Sequence, residues 1–316
     1  KWVLIMKLIK LVSSSLVFLA VCVLNLWTIA VNAQSAPACT AASDAATLTT
    51  AAGVVDGFFA QCKSTPDAMK LKFYKMALCK EKPTYLDDTS CVYILNETTA
   101  IDAEISVGGE SNLIPGEISI PEGTYPYALL LIDTKIGIKK TLEFNVGNEQ
   151  KDSDGNTGKY CWTNGETVKW GYAVGENTPI TCGSSPSPQY SYETFVGLGG
   201  DDPCVVNKQL NEQTPTTSYD IYLLHDLTTP ANVDESNCMP VKPANKVANY
   251  IWGVQTFNVP PSITANTTQV DMGFKLTDGI NVSLKGTPGS ACDRNTGNEC
   301  VESANIMSFA FTMSTE

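Results

Sequence analysis

The residues with the most definite chemistry in this sequence are ten cysteines that follow its apolar N-terminal segment. They are Cys39, Cys62, Cys79, Cys91, Cys161, Cys182, Cys204, Cys238, Cys292 and Cys300. An even number of cysteines in an exported chain predicts disulfides. Zinc is the alternative, but no C-x-x-C spacing occurs and His225 is far from any cysteine pair. The connectivity stays open, with pairing of nearest neighbours as the working hypothesis: 39–62, 79–91, 161–182, 204–238 and 292–300.

Oxygen-bearing side chains are spaced along Asp152-Ser-Asp154-Gly-Asn156 in the manner of a calcium-binding loop. The segment lacks the later glutamate of an EF-hand. The alternative is a polar turn, because Asp, Asn, Ser and Gly are the usual turn formers. Calcium bound by Asp152, Asp154 and Asn156 is therefore a hypothesis, and no other cofactor is expected.

No catalytic constellation emerges from the remaining reactive residues. A Ser-His-Asp hydrolase would have to use His225, yet the sequence contains no G-x-S-x-G nucleophile motif. A glycoside hydrolase needs only two carboxylates, and the sequence cannot say which of its 33 acidic residues would face each other. We therefore predict no catalytic residue and keep glycoside hydrolysis as an alternative.

Six aromatic residues could form a platform for a sugar ring. They are Trp162, Trp170, Tyr172, Tyr190, Tyr192 and Trp252. The competing interpretation places them in the core and in cross-strand pairs, since Trp and Tyr are common in strands. Extracellular glycans are accordingly one of two expected kinds of partner.

The second kind of partner is another copy of the chain. Residues 305–313 predict a strand whose apolar face is formed by Met307, Phe309, Phe311 and Met313. Such a strand either completes its own sheet or pairs with the sheet of a neighbouring subunit. In the second arrangement the protein would be a polymer subunit.

The composition excludes several classes of function. The 316 residues carry a formal net charge of −12, and Arg294 and His225 are the only arginine and the only histidine. A nucleic-acid-binding protein needs a basic surface. Arginine clamps on phosphate and histidine-rich metal sites are also excluded. We therefore expect a protein that does not bind nucleic acid.

Residues 1–33 have the pattern of a secretory signal peptide, in which lysines precede an apolar stretch. Small residues at Val31 and Ala33 fit a cleavage site after residue 33, and Met6 is a natural initiator. An uncleaved anchor is the alternative, because 11–31 is nearly long enough to span a bilayer. With cleavage, no membrane span is expected to remain, and the protein would be secreted or bound at the cell surface.

From residue 70 onward, alternation of apolar and polar residues predicts strands. Two turns between such runs predict β-hairpins: Asp278-Gly279 between 270–276 and 280–284, and Asn164-Gly165 between 160–163 and 166–170.

A further signal is the segment 121–125, which ends in Tyr125 and precedes the apolar run 128–132. This order is typical of a tight turn and a tyrosine that leads into an inner strand of a sandwich domain.

The pattern as a whole predicts a mainly β fold, an antiparallel β-sandwich of the immunoglobulin-like or jelly-roll-like kind. One helical segment is expected at 43–61, where Ser43 and Asp44 can cap it. A helix of that length would hold Cys39 and Cys62 too far apart to bond, so the helix and the 39–62 disulfide are competing predictions.

The expected domain organisation has two β-domains after the signal peptide. Its segments are the signal peptide 1–33, an N-terminal segment 34–69, a first β-domain 70–182, a linker 183–218 and a second β-domain 219–316. A single elaborated sandwich is the alternative.

Part of the first β-domain resembles a recurring module of uncharacterised secreted surface proteins from marine bacteria. The residues that carry the resemblance are Lys72-Phe-Tyr-Lys-Met-Ala-Leu-Cys79, Pro83, Ser90-Cys91 and Ile118-Ser-Ile-Pro-Glu-Gly-Thr-Tyr125. The resemblance implies an extracellular, disulfide-stapled β-domain in a surface filament or coat. It implies no catalytic residues.

These observations favour a secreted or cell-surface structural and adhesive protein, with assembly into a filament or coat through the C-terminal strand as a hypothesis. An extracellular carbohydrate-binding module is the alternative from a different class, and a glycoside hydrolase is a further one.

Overall fold

The computed structural model describes twelve stretches of the chain. These are residues 38–40, 59–84, 87–107, 119–145, 150–171, 174–175, 178–195, 208–210, 217–224, 249–285, 300–306 and 309–316. All of them belong to the unit Ala36–Glu316. They are mainly β, and no helix occurs among them. Accordingly, in these stretches there is no helix with the length and apolarity that crossing a membrane requires.

The described residues form strands β1 to β22. In chain order they are β1 Phe59–Ser64, β2 Ala68–Cys79, β3 Cys91–Ser106, β4 Gly123–Thr124, β5 Tyr127–Asp133, β6 Lys135–Lys139, β7 Thr141–Glu143, β8 Gln150–Lys151, β9 Thr157–Gly158, β10 Tyr160–Thr163, β11 Thr167–Gly171, β12 Val174–Gly175, β13 Ile180–Gly183, β14 Ser191–Phe195, β15 Lys208–Leu210, β16 Thr217–Leu224, β17 Tyr250–Thr256, β18 Ser262–Ile263, β19 Val270–Lys275, β20 Ile280–Lys285, β21 Cys300–Ile306 and β22 Ala310–Thr315.

The largest sheet has ten strands and is curled into a half-barrel. Its order is β12-β11-β14-β6-β2-β5-β17-β16-β15, and β3 pairs with the other edge of β2. Two three-stranded sheets accompany it, β1-β20-β21 and β13-β10-β7. Three two-stranded sheets complete the described part: β18-β4, β19-β22 and β8-β9.

The main sheet forks at Thr134, between β5 and β6. Both strands run antiparallel to β2, so they act as one long strand with a break. At the break, the Thr134 N–H donates to the carbonyl of Asn249, and the Thr134 carbonyl accepts from the N–H of Phe195. One branch therefore continues from β5 to β17, and the other from β6 to β14.

The main core lies on one face of this sheet, and a smaller apolar cluster lies on the other. Strand β5 contributes to both, because Leu130 and Ile132 face the main core while Leu129 and Leu131 face the smaller cluster with Trp252. Burial on both faces explains why 128–132 is an unbroken apolar run rather than an alternating one.

Tyr125 leads into this inner strand, as its sequence context predicts. Its side chain is fully buried, and its hydroxyl donates to the Pro121 carbonyl at 2.6 Å. Its backbone N–H donates to the carbonyl of Pro261 at 2.9 Å. The predicted tyrosine turn is therefore confirmed.

The predicted hairpin at Asp278-Gly279 is wrong, although both of its strands exist. β19 pairs with β22, whereas β20 pairs with β1 and β21. The turn itself forms: Asp278 has φ of 55°, and the Gly279 N–H donates to the Leu276 carbonyl at 2.9 Å. The turn bends the chain from one sheet into another instead of folding it back on itself.

The pairing register explains this bend. Ile280 lies opposite Ile306 at one end of the β20–β21 pair, and Lys275 lies opposite Ala310 at the start of the β19–β22 pair. The same two chain segments thus stay paired on both sides of the turn. They form one antiparallel ribbon that passes between two sheets.

The predicted hairpin at Asn164-Gly165 is also wrong, because the two strands that flank the turn do not pair with each other. β10 pairs with β13 and β7, whereas β11 pairs with β12 and, in parallel, with β14. Gly165 has φ of 97°, and its N–H donates to the Ser191 hydroxyl at 3.0 Å. A turn-forming dipeptide specifies the change of direction, but packing decides which sheet receives the next strand.

Most of the helix predicted at 43–61 lies outside the described residues. Its last residues, 59–61, belong to β1, which pairs with β20. The helix prediction is wrong at this end, because the segment is hydrogen-bonded into a sheet and Cys62 is bonded to Cys39.

Strands from the two predicted β-domains share the main sheet. β5 pairs with β17 from Tyr127 opposite Thr256 to Asp133 opposite Tyr250. The hydrogen-bonded sheet therefore runs across the predicted linker at 183–218. The sandwich architecture remains a prediction.

Candidate functional site

Three disulfides lie within the described residues. They join Cys39 to Cys62, Cys79 to Cys91 and Cys161 to Cys182, which are three of the five nearest-neighbour pairs. Cys300 is also disulfide-bonded. The predicted disulfide candidates Cys204, Cys238 and Cys292 lie outside the described residues.

Each of these three bonds closes a local piece of the β framework. Cys79 and Cys91 lie opposite each other where β2 meets β3, and Cys161 lies opposite Cys182 in the β10–β13 pair. Disulfides persist in oxidising compartments, so these bonds indicate an oxidising, extracellular setting.

Asp152, Asp154 and Asn156 were the residues of the calcium hypothesis. In the structure the carboxylate of Asp152 is already hydrogen-bonded within the protein. Asp152 is buried, and one of its oxygens accepts from the N–H groups of Asp154 and Asn156 at 3.0 and 2.8 Å. The other accepts from the Asn156 side chain and from the Cys182 N–H, both at 2.9 Å. These contacts fit the turn alternative. Within the described stretches, no group of three or more His, Cys, Asp or Glu could hold a metal.

The segment predicted as one strand at 305–313 contains parts of two. Residues 305–306 end β21 and 310–313 lie in β22, while residue 309 belongs to neither strand, so the prediction of one continuous strand is wrong. Phe311 is buried, while Phe309 and Met313 are half-buried against the main core. Met307 lies outside the described residues.

An amide side chain holds β22 in place. The side chain of Gln255, on β17, donates from Nε2 to the Phe311 carbonyl at 2.7 Å and accepts the Phe311 N–H at 2.9 Å. The Phe311 ring also packs edge-on to Phe274 of β19 at 5.6 Å between centroids. Strand β22 is therefore built into the core of its own chain in this structure.

A buried carboxylate links two sheets. Glu193 on β14 is 1% exposed, and it accepts hydrogen bonds from the Thr178 hydroxyl at 2.8 Å and the Ile306 N–H at 3.0 Å. Burial raises the pKa of Glu193 to about 7, although both hydrogen bonds act in the opposite direction. The contacts with Thr178 and Ile306 give this acidic residue a structural role.

The predicted aromatic platform does not assemble as a whole. Trp252 is only 4% exposed in the smaller apolar cluster. Trp162 on β10 packs over Gly183 of the adjacent strand β13. Tyr172 and the side chain of Trp170, like His225, lie outside the described residues.

Tyr190 and Tyr192 are brought together, with ring centroids 6.5 Å apart and planes at 38°. Both rings are half-buried. They lie beside three lysines on the outer side of β2 and β6. We call this surface the tyrosine–lysine face; its residues are Lys70, Lys135, Gly137, Lys139, Tyr190 and Tyr192.

The lysines of this face contact the rings. The Nζ atom of Lys70 lies 4.1 Å from the Tyr190 ring centroid, and that of Lys139 lies 5.6 Å from it. The Nζ of Lys135 lies 4.6 Å from the Tyr192 centroid. Ammonium groups at these distances are attracted by the negative faces of aromatic rings.

The tyrosine–lysine face also has an acidic neighbour, Glu104. The Lys70 ammonium lies 3.6 Å from a Glu104 carboxylate oxygen. Burial, followed by the Glu104 carboxylate, raises the pKa of Tyr190 above its ordinary value. Tyr190 therefore stays neutral over the physiological range.

The sequence analysis missed the lysines of this face, although a signal was present. In Lys135-Ile-Gly-Ile-Lys139, polar and apolar residues alternate, which places Lys135, Gly137 and Lys139 on one side of a strand. Their approach to the tyrosines depends on the pairing of β6 with β14, which no local pattern specifies.

Comparison of the chain with protein-family models, with curated proteins and with solved structures finds no match.

Proposed function

We propose that the protein is a secreted or cell-surface structural and adhesive protein, built as a disulfide-stapled β-sandwich. The observation that carries the proposal is the set of disulfide bonds 39–62, 79–91 and 161–182 within a β framework. Covalent links of this kind restrict the unfolded chain and protect a protein that works outside the cell.

The acidic residues with buried contacts support a structural role. Asp152 caps a turn next to the Cys161–Cys182 bond, and Glu193 joins β14 to β21. Their oxygens accept hydrogen bonds from the protein's own backbone, which provides the partners that buried polar groups need in a stable framework.

Self-assembly through β22 is part of this proposal. Among the described strands, β19 is the only one that pairs with β22. The contacts of β22 with β19 and Gln255 join segments that are distant in sequence, so the β22 of a neighbouring copy could make the same contacts. Exchange of an identical element is a low-cost route from monomer to polymer.

A cross-linking experiment tests the exchange. Met272 and Met313 lie opposite each other in the β19–β22 pair, so the double variant Met272→Cys with Met313→Cys should form a bond there. We would assemble a mixture of light and isotopically heavy chains and identify the linked peptides by mass spectrometry. Exchange predicts peptides of mixed isotope composition, and filaments in electron micrographs of the secreted material. Links confined to a single chain would contradict it, and each single variant serves as a control.

A second function, carbohydrate binding, is favoured by the pairing of Tyr190 with Tyr192 on the outer side of the main sheet. Aromatic rings are suited to the apolar face of a sugar. A polysaccharide pull-down tests it: the double variant Tyr190→Ala with Tyr192→Ala should lose binding. The matched control is Tyr74→Ala with Tyr250→Ala, another pair of half-buried, contacting tyrosines.

A further inference from the structure

The tyrosine–lysine face is held in shape by the register of three strands. Tyr192 lies opposite Gly137, and Gly137 in turn lies opposite Lys70. Directly opposite residues in antiparallel strands share one side of the sheet. The tyrosine and the lysine therefore flank a position without a side chain.

Gly137 provides the surface on which the Tyr192 ring rests. A Cβ added at Gly137 would lie 2.7 Å from a ring carbon of Tyr192, closer than such atoms approach in proteins. The ring thus covers the bare backbone and carries the Lys135 ammonium on it. The attraction between the ammonium group and the ring keeps the Lys135 charge beside Tyr192, while the lysine itself stays exposed.

The charge on this face is only partly compensated. Lys70 has Glu104 as an ion-pair partner, but neither Lys135 nor Lys139 forms an ion pair within the described residues. An aromatic ring attracts a cation without neutralising it. Two positioned positive charges therefore remain on the surface of a chain whose net charge is −12.

The lysines and the tyrosine rings together favour an extended ligand that carries several anionic groups. Lys135 and Lys139 are four residues apart on β6, which is about 13 Å between their Cα atoms at about 3.3 Å per residue. Their ammonium groups lie beside two different rings, whose centroids are 6.5 Å apart. A linear polymer with repeated anionic groups can contact both ammonium groups and also the tyrosine rings.

We propose that the tyrosine–lysine face binds an acidic polysaccharide, whose sulfate or carboxylate groups pair with Lys135 and Lys139 while its sugar rings contact Tyr190 and Tyr192 beside these ammonium groups. This inference rests on the carbohydrate-binding function proposed above and specifies its ligand class. Lysine is suited to such a ligand because it acts as a flexible point charge toward sulfate and carboxylate.

The experiment measures binding of the full chain to immobilised dextran sulfate, polygalacturonate and uncharged dextran, at low and at high salt. The test variant is Lys135→Gln with Lys139→Gln. The control variant, Lys80→Gln with Lys159→Gln, removes the same net charge from exposed positions elsewhere. The urea midpoint of each variant is recorded to show that the fold is retained.

We expect binding to one or both acidic polymers, weakened about tenfold in the test variant and within about twofold of wild type in the control variant. The dependence of log affinity on log salt should also become shallower in the test variant, because fewer counterions are released. The relative affinity for dextran sulfate and polygalacturonate distinguishes sulfate from carboxylate recognition.

Four results would overturn the inference. Unchanged affinity of the test variant would show that the acidic polymer binds elsewhere. If single-stranded DNA bound as tightly as the acidic polysaccharides, the face would recognise negative charge alone. Binding of dextran with neither acidic polymer would leave the carbohydrate-binding function in place and remove this ligand class, whereas binding of no polysaccharide would remove both.

Discussion

The side-chain amide of Gln255 hydrogen-bonds to both the N–H and the carbonyl of Phe311, at 2.9 and 2.7 Å. An amide in this position replaces one peptide unit of a neighbouring strand. It allows β22 to be anchored to β17 although these strands do not pair, and it leaves neither polar group of Phe311 unsatisfied in the core.

The first prediction concerns this contact. Gln255→Leu should lower the free energy of unfolding by about 2–6 kcal/mol, because two buried backbone groups lose their partners at about 1–3 kcal/mol each. Urea denaturation measures the change. Gln269→Leu is the matched control, since Gln269 is exposed. Equal effects of the two substitutions would show that the amide does not anchor β22.

The second prediction concerns the pH dependence of stability at Glu193. Burial raises its pKa in the folded state to about 7, above its ordinary value of 4.5. Between these values the folded protein holds a proton that the unfolded chain has lost, so stability should fall as the pH rises from about 4.5 to about 7. The expected loss is about 3 kcal/mol, at about 1.4 kcal/mol per pKa unit.

Glu193→Gln tests this linkage, because its carbonyl oxygen can still accept from Thr178 and Ile306. Unfolding free energies measured at pH 5 and pH 8 should differ less in the variant than in the wild type. Glu166→Gln, at an exposed position, is the control and should leave the wild-type pH dependence unchanged. The same slope in all three proteins would mean that Glu193 does not titrate in this range.

The third prediction concerns the close approach of two backbones at Gly158. A Cβ at this position would lie 2.1 Å from the Gly183 carbonyl carbon, and neither backbone can yield as a flexible side chain could. Gly158→Ala should therefore destabilise the protein by about 3 kcal/mol, at the upper end of overpacking effects. Gly253→Ala is the control, because its nearest atom would be 3.9 Å away. Thermal unfolding should show a large loss of Tm for the first variant alone.

The fourth prediction concerns the Tyr125 hydroxyl. Tyr125→Phe removes its hydrogen bond to the Pro121 carbonyl and should cost about 1–2 kcal/mol, with no loss of ring packing. Chemical denaturation measures the effect, and Tyr74→Phe at a half-buried position is the comparison. A stability equal to that of the wild type would argue against a contribution from this bond.

Local patterns predicted the strands well and their partners poorly. The predicted strands 270–276 and 280–284 correspond closely to β19 and β20. Both hairpin predictions were wrong, because a dipeptide such as Asp278-Gly279 determines backbone angles over a few residues only. The partner of each strand depends on which sheet offers an unpaired edge, and that is a property of the whole fold.

For the candidate site, the sequence analysis marked Tyr190 and Tyr192 as potential binding residues but missed Lys135 and Lys139. The distances between them could not be predicted, because β6 and β14 are separated by more than fifty residues of chain. Fold topology alone brings them together.

The sequence by itself determined that this chain is rich in strands, that cysteines close in sequence can bond, and that Tyr125 leads into an inner strand. These features depend on residue type and short-range spacing, which backbone sterics and burial translate directly into local structure. Tertiary structure alone decided the fork at Thr134, the anchoring of Phe311 by Gln255, and the meeting of lysines with tyrosines. Such contacts depend on strand register between distant segments, and register follows from packing of the complete core.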